Sequence, residues 1–157
     1  LRSEDAYNII LESIQNSFLC NLNLHKIFVS MYYFDMIQVY NLQGKLQNVI
    51  CLDKDGDNNE EQFRKLLNRK NYVGYIQCYA TSGYAYFRRS LKNGETDDVM
   101  NNQIVQVDWN GMVTHVWEVG QEMTSGFCID QDRYLYCIKK GELQNEEAFF
   151  ILRYALS

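Results

Sequence analysis

Proline is absent from this sequence of 157 residues, although roughly 5% of residues in an average protein are proline. Tyrosine, in contrast, occurs 12 times, and aromatic residues of this kind are enriched in β-strands. The chain has 46% hydrophobic and 22% charged residues, which is typical of a globular domain and not of a disordered segment. The composition therefore predicts one compact, strand-rich domain.

Long apolar runs and an excess of positive charge are also missing. No stretch approaches the roughly 18 apolar residues of a transmembrane helix, and no basic segment followed by an apolar one marks a secretory signal. Because the chain begins at Leu1 and not at Met, it is compatible with a processed or truncated product. The net charge of −5 and the isoelectric point near 5.0 disfavour a nucleic-acid partner, which normally needs a basic face.

The cysteines form no Cys-x-x-Cys pair of the kind that binds metals or catalyses redox reactions. They are Cys20, Cys51, Cys78, Cys128 and Cys137. Four of them lie in apolar, strand-like runs, so we interpret the cysteines as small buried hydrophobic residues. Their odd number excludes complete pairing within one chain, and the cellular compartment stays open.

Two segments of the sequence repeat each other. Residues 36–50 read MIQVYNLQGKLQNVI, and residues 103–117 read QIVQVDWNGMVTHVW. Each segment has an alternating run, a polar turn that contains Gly44 or Gly111, and a second alternating run, which is the pattern of a β-hairpin. A third copy begins at residues 151–156.

Each hairpin follows another pair of predicted strands, so the repeating unit has four consecutive antiparallel strands. Three units are predicted, over residues 16–52, 71–119 and 125–157, and the last one lacks its outer strand. Units of about 40–50 residues with four strands are typical of β-propeller blades. We therefore predict an all-β fold in which residues 1–157 form a single β-propeller segment of about three blades. A jelly roll or immunoglobulin-like sandwich is the alternative, but neither predicts the recurring hairpin.

Two short helical stretches are predicted beside the repeats. The first has apolar residues on one helix face at Tyr7, Ile10, Leu11 and Ile14. The second lies at residues 63–67, in the connection between the first two units. The first stretch could equally be the tail of a preceding blade.

The hairpins at residues 37–44 and 104–111 and the strand at residues 151–156 resemble those of TolB-like six-bladed β-propellers. These are bacterial envelope proteins, many of them uncharacterised and of lipoprotein type. The resemblance covers nearly the whole chain and implies the carboxyl-terminal half of a six-bladed ring in the periplasm or at the cell surface. It implies no catalytic residue. The sequence contains neither the amino-terminal half of that family nor its lipid-attachment cysteine.

In a propeller, the turns within the first and last strand pairs lie on one face, and the remaining connections lie on the other. Here the first face has only tight turns, whereas the second has the long, acidic segments at residues 53–70, 90–100, 120–124 and 140–147. Function concentrates on the loops of a rigid scaffold, so we predict a ligand site on this loop face. Its candidate ligand-binding residues are Asp35, Asp97, Asp98 and Glu122. The ligand could be a cation, a basic peptide or a polar molecule; ordinary solvated loops are the alternative.

Groups for catalysis or metal binding are sparse. Residues 53–57 read DKDGD and begin like a calcium loop, but Asn58 and Arg64 stand where that loop needs glycine and glutamate. His25 is predicted in a tight turn and His115 inside a strand, so no catalytic triad converges. We predict no catalytic residue, no metal ligand and no cofactor.

Several aromatic residues could stack on a sugar, but strand spacing favours a place in the core between blades. They are Tyr32, Tyr33, Phe34, Tyr84, Tyr86 and Phe87.

The sequence therefore predicts a non-enzymatic binding or interaction scaffold of the bacterial cell envelope. The alternative is a metal-assisted propeller hydrolase or lactonase, which needs inward ligands from several innermost strands. Those strands offer only Asn16, Asn21, Gln77 and Asp130. Because three blades cannot close a ring, we expect further blades from the missing part of the chain or from a second copy.

Overall fold

A computed structural model of the chain describes residues 16–52, 64–65, 68, 70–123 and 126–156. The apolar residues that predicted the two helical stretches, and the calcium-like segment at residues 53–57, lie outside this part. Within it, no helix has the length and apolar character needed to cross a membrane.

The first sheet contains four antiparallel strands in chain order. They are β1 (Asn16–Asn21), β2 (Lys26–Met31), β3 (Ile37–Asn41) and β4 (Leu46–Ile50). In β2 and β3, buried residues alternate with half-buried ones, because successive side chains of a strand point to opposite faces.

The second sheet has the same order of four antiparallel strands. They are β5 (Tyr72–Ala80), β6 (Tyr84–Lys92), β7 (Val99–Asp108) and β8 (Val113–Glu118). A single turn of 3-10 helix, Gly120–Glu122, leads to the third sheet.

The third sheet has three antiparallel strands. They are β9 (Phe127–Asp130), β10 (Tyr134–Leu143) and β11 (Glu146–Ala155). The prediction of an all-β fold with units of four, four and three antiparallel strands is thus confirmed for the described part of the chain.

The two glycine turns have the same construction. Gly44 and Gly111 have φ angles of +76° and +89°, which glycine adopts without the penalty that other residues incur. In the first turn the Asn41 side chain accepts hydrogen bonds from two backbone N–H groups, and in the second Asp108 does the same. The predicted repeat of the hairpins is confirmed.

Two predicted loops are shorter than expected. Residues 140–147 are not a loop, because β10 and β11 stay paired up to Leu143 and Glu146. A two-residue turn joins them, in which Gln144 and Asn145 have φ angles of 56° and 65°, as a type I′ turn requires. The charges that suggested a loop face one another across the hairpin, with Lys140 Nζ 2.5 Å from a Glu147 carboxylate oxygen. The predicted loop at residues 90–100 likewise shortens to 93–98.

The second sheet is packed between the other two. Its contact with the first sheet buries Phe28, Ile37 and Val39 against Tyr75, Phe87 and Val105. Its contact with the third sheet buries Tyr86 and Ile104 against Ile129, Leu135 and Cys137. Each sheet therefore covers one face of the next in chain order.

Neighbouring sheets come closest along their first strands. The backbone of β5 approaches that of β1 on one side and that of β9 on the other. The fourth strands β4 and β8 show no comparable approach in the described part of the chain. The sheets therefore meet at their first strands and diverge toward their last ones.

The prediction that the cysteines are buried is wrong for two of the five. All are free thiols, but Cys20 and Cys128 are exposed, whereas Cys51 and Cys78 are intermediate and Cys137 is buried. Cys128 pairs with Tyr136 on the face of the third sheet that points away from the second sheet. An apolar strand sequence alone does not say which of its two faces is covered.

Candidate functional site

The loops 32–36 and 93–98 lie at the same end of the first two sheets, which we call the loop end. Asp35 belongs to the first of these loops and is only 3% exposed. Both of its carboxylate oxygens accept hydrogen bonds of 2.8 Å from the Arg89 guanidinium of β6. Asp35 is therefore one half of a buried, bidentate ion pair between the first and second sheets, and its role as a ligand-binding residue stays a prediction.

Tyr75 lies beside this ion pair in the core of the first sheet-to-sheet contact. Burial, and then the charge of Asp35, raise the pKa of its hydroxyl well above the usual value of 10.0. The hydroxyl thus keeps its proton at neutral pH and offers no base for catalysis.

Asp97 also bonds to a cation of the second sheet. Its two carboxylate oxygens each lie 3.1 Å from Nζ of Lys92, and it accepts hydrogen bonds from the hydroxyls of Tyr72 and Tyr32. The Lys92 ammonium also lies 4.1 Å from the centre of the Tyr32 ring, which adds a cation–π attraction. Burial, and then Asp97, raise the pKa of Tyr72 far above its usual value.

A close backbone contact holds the same two sheets together at this end. A Cβ atom on Gly74 of β5 would lie 1.6 Å from the carbonyl oxygen of Tyr32. Only glycine allows this approach, because it has no side chain. Backbone packing therefore joins β5 directly to the loop at residues 32–36.

The loop 93–98 is ordered by its own backbone and side chains. The amide oxygen of Asn93 accepts hydrogen bonds from the N–H groups of Glu95 and Thr96, and the Asn93 N–H donates to the carbonyl of Asp98. Asp98 and Glu95 are exposed. Asp35 and Asp97 are each bonded to a cation of the second sheet. Among the predicted ligand residues with described side chains, only Asp98 is exposed and has no such cation.

Glu122 ends the 3-10 helix, and its side chain lies outside the described residues. The segment itself is bound to the second sheet through Arg88 and Asn102. The Arg88 guanidinium donates 2.7 Å to the carbonyl of Met123, and the Asn102 amide donates 2.8 Å to that of Gly120. Burial lowers the pKa of Arg88 to about 10. The backbone of this segment is thus fixed to the face of the second sheet that carries Arg88.

Arg88 and Arg89 are the residues that the sequence analysis missed. They are consecutive in β6, so their side chains must point to opposite faces of the second sheet. Arg89 reaches Asp35 of the first sheet, and Arg88 reaches the segment that leads to the third. The signal in the sequence was a pair of arginines inside a strand, flanked on both sides by residues that are buried. Such a pair indicates two buried cations.

A groove of about 370 Å³ runs where the first strands meet. Its lining comes from all three sheets and consists of Ser17, Phe18, Gln77, Cys78, Gly126 and Phe127. Burial raises the pKa of the Cys78 thiol to about 11, so the thiol is protonated at neutral pH and a poor nucleophile. None of these six residues offers a carboxylate or an imidazole.

The two histidines are far from the loop end, as predicted. His25 is exposed in the turn between β1 and β2, with a φ angle of 55°. His115 lies in β8, where its Nδ1 is 2.9 Å from the Gln106 side-chain oxygen and its ring stacks on Trp117. Within the described ranges, no three His, Cys, Asp or Glu side chains are grouped closely enough to hold a metal ion.

The aromatic residues divide between the core and the loop end. Tyr86 and Phe87 are fully buried, so the prediction of a place between sheets is confirmed for them. Tyr32 and Tyr33 lie at the loop end, where their rings contact each other edge to face and Tyr33 contacts Tyr72.

The loop end therefore combines a buried acid, Asp35, and an exposed acid, Asp97, each bonded to a cation, with the exposed Asp98 beside tyrosine rings. Such an arrangement can bind a ligand. Comparisons with protein-family models, curated proteins and solved structures gave no match to this chain, so its function has to be inferred from the residues and their geometry.

Proposed function

We propose that the three sheets are consecutive blades of a β-propeller of the six-bladed, TolB-like kind. Three observations support this arrangement: the antiparallel order within each sheet, the stacking of each sheet on the next, and the close approach of the first strands. Blades of a propeller are arranged in this way around a central channel. The groove between β1, β5 and β9 would then be part of that channel.

We further propose that the protein is a non-enzymatic binding scaffold whose loop end binds a basic peptide. The observation that carries this proposal is the contrast between Asp97 and Asp98. Both side chains are exposed, but the Asp97 carboxylate is bonded to Lys92, whereas Asp98 forms no ion pair within the described part of the chain. A loop that is ordered before binding loses little entropy when a ligand arrives, and tyrosine rings beside it can contact the apolar part of a lysine side chain.

The test is calorimetric titration of the protein with a short oligolysine peptide. Binding is expected to weaken several-fold in the Asp98→Asn variant and to weaken with added salt. The matched control is Asp130→Asn, which removes the same charge from an exposed residue at the opposite end of the third sheet. Equal affinity of the two variants, or no heat of binding at all, would show that the loop end is not the site.

The hydrolase or lactonase alternative has less support. A metal-assisted reaction in the channel needs several carboxylate or imidazole ligands, and the described residues of the groove provide neither. Elemental analysis of the purified protein checks this choice, because one tightly bound metal per chain would favour the enzyme.

We also propose a location in the bacterial cell envelope, which only the resemblance of the hairpins supports. Fractionation of cells that express the tagged natural protein tests it. Recovery only with the cytoplasmic fraction would contradict it.

A further inference from the structure

The face of the third sheet that points away from the second sheet has exposed apolar residues, next to Arg153 and Lys140 on the same face. We call it the outer face of the third sheet and define it by Cys128, Tyr136, Ile138, Phe149 and Ile151. Ile151 is 77% exposed and Phe149 is 66% exposed. A hollow of about 340 Å³ lies on this face, against Tyr136, Ile138 and Ile151. Soluble monomers rarely expose clustered residues of this kind.

Comparison of equivalent positions in the three sheets indicates the role of this face. In the first two sheets, the fifth residue of the second strand pairs with an isoleucine of the third strand: Ser30 with Ile37, and Arg88 with Ile104. Ile37 and Ile104 are both 0% exposed, because the next sheet in the chain covers them.

In the third sheet the same register position pairs Ile138 with Ile151. A third isoleucine thus stands where the other two are buried, and it is exposed instead. Tyr136 likewise takes the position of Phe28 and Tyr86, both of which are fully buried. The outer face of the third sheet therefore has the residues of a sheet-to-sheet contact.

The first sheet carries the complementary pattern on its own outer face. In the second and third sheets, the second and fourth residues of the second strand pack against the preceding sheet. These residues are Ala85 and Phe87 in β6, and Leu135 and Cys137 in β10. The same positions of β2 hold Ile27 and Val29.

Phe18 extends this pattern to the first strand. It pairs with Val29 as Phe127 pairs with Cys137. Phe127 packs into the core between the second and third sheets, whereas Phe18 is 70% exposed. The outer face of the first sheet thus has the residues that would enter the hollow on the third.

We propose that the outer face of the third sheet binds the outer face of the first sheet of a second copy of this chain. The contact is head-to-tail, so each copy uses both faces. Propellers typically have four to eight blades, and the three described sheets of two copies add up to six. Two copies then close one ring through two identical contacts; this last step rests on the propeller arrangement proposed above.

The experiment measures the mass of the 157-residue chain by light scattering across a range of concentrations, with circular dichroism to check the fold. The wild type is expected to be a dimer. Ile151→Asp and Phe18→Asp alter opposite faces, and each is expected to raise the dissociation constant roughly thirty-fold or more, as for a residue at the centre of an interface. The control is Met112→Asp, an equally exposed residue in a glycine turn, which is expected to leave the dimer intact.

Three results would overturn the proposal. The first is a wild-type monomer with native β-sheet content. The second is loss of the dimer in Ile151→Asp but not in Phe18→Asp, which would mean that two third sheets pair with each other. The third is open-ended growth beyond the dimer. Titration of the monomeric Ile151→Asp variant with oligolysine separates this question from the binding function, because its loop end is unchanged.

Discussion

Removal of the Asp35 carboxylate is expected to destabilise the protein strongly. Asp35 and Arg89 are both buried, and two hydrogen bonds of 2.8 Å join them across the first two sheets. The Asp35→Ala variant leaves the guanidinium in the core without its counter-charge, which costs about 3–5 kcal/mol in comparable buried pairs. A domain of this size has roughly 5–15 kcal/mol of stability in total, so the loss is a large fraction of it.

Urea unfolding followed by tryptophan fluorescence measures this loss. With a denaturant slope near 2 kcal/mol per molar, the midpoint is expected to fall by about 2 M. The matched control is Glu147→Gln, which breaks the half-exposed pair with Lys140 and should cost less than about 1 kcal/mol.

A double variant keeps the prediction testable if Asp35→Ala does not fold. Replacement of both partners, Asp35→Leu with Arg89→Met, removes the buried charge altogether and is expected to recover stability to within about 1 kcal/mol of the wild type. An Asp35→Ala variant as stable as Glu147→Gln would refute the assignment of Asp35 as a buried link between sheets.

Three further predictions test the core, the backbone contact and the sheet faces. Stability is expected to fall above about pH 9–10. Burial raises the pKa of four side chains, so in this pH range they lose their protons in the unfolded chain but keep them in the folded state; they are Cys78, Tyr72, Tyr75 and Tyr86. Their contribution to stability is complete below pH 9, and equal urea midpoints at about pH 7.5 and 10.5 would contradict the prediction. Gly74→Ala is expected to cost about 3 kcal/mol, because the new methyl group meets the Tyr32 carbonyl. In the same unfolding assay, Gly126→Ala should be close to neutral, since its nearest neighbour is a side-chain nitrogen at 3.7 Å. Iodoacetamide followed by mass spectrometry is expected to label Cys20 and Cys128 before Cys137, and faster labelling of Cys137 would show that the third sheet does not pack on the second.

The strand order could be predicted from the sequence because two of the turns have a recognisable sequence pattern. Asn41 with Gly44, and Asp108 with Gly111, form the same turn, and the alternating runs beside them specify the strands. The hairpin at Gln144 and Asn145 could not be recognised in the same way. Its turn has no glycine, and the surrounding charges are as common in loops as in an exposed ladder.

The candidate site was harder to predict because exposure depends on the neighbouring sheet. Asp35 and Asp98 are both acids in loops that join the second and third strands, and nothing in their local sequence separates them. Their difference comes from Arg89, 54 residues beyond Asp35, which reaches one and not the other. Long-range pairing of this kind needs the packing of sheets, which alternation within a single strand does not contain.

The opposite orientations of Arg88 and Arg89 also specify the register of β6. A slip of one residue would turn every side chain of the strand to the other face. Arg89 would then point toward the third sheet and Arg88 toward the first, so the carboxylate of Asp35 and the carbonyl of Met123 would lose the partners that fit their distances. A misaligned middle sheet is thereby unstable on both of its faces at once. One slip of β6 is therefore penalised at both sheet-to-sheet contacts together, so the two arginines specify the register of the central sheet.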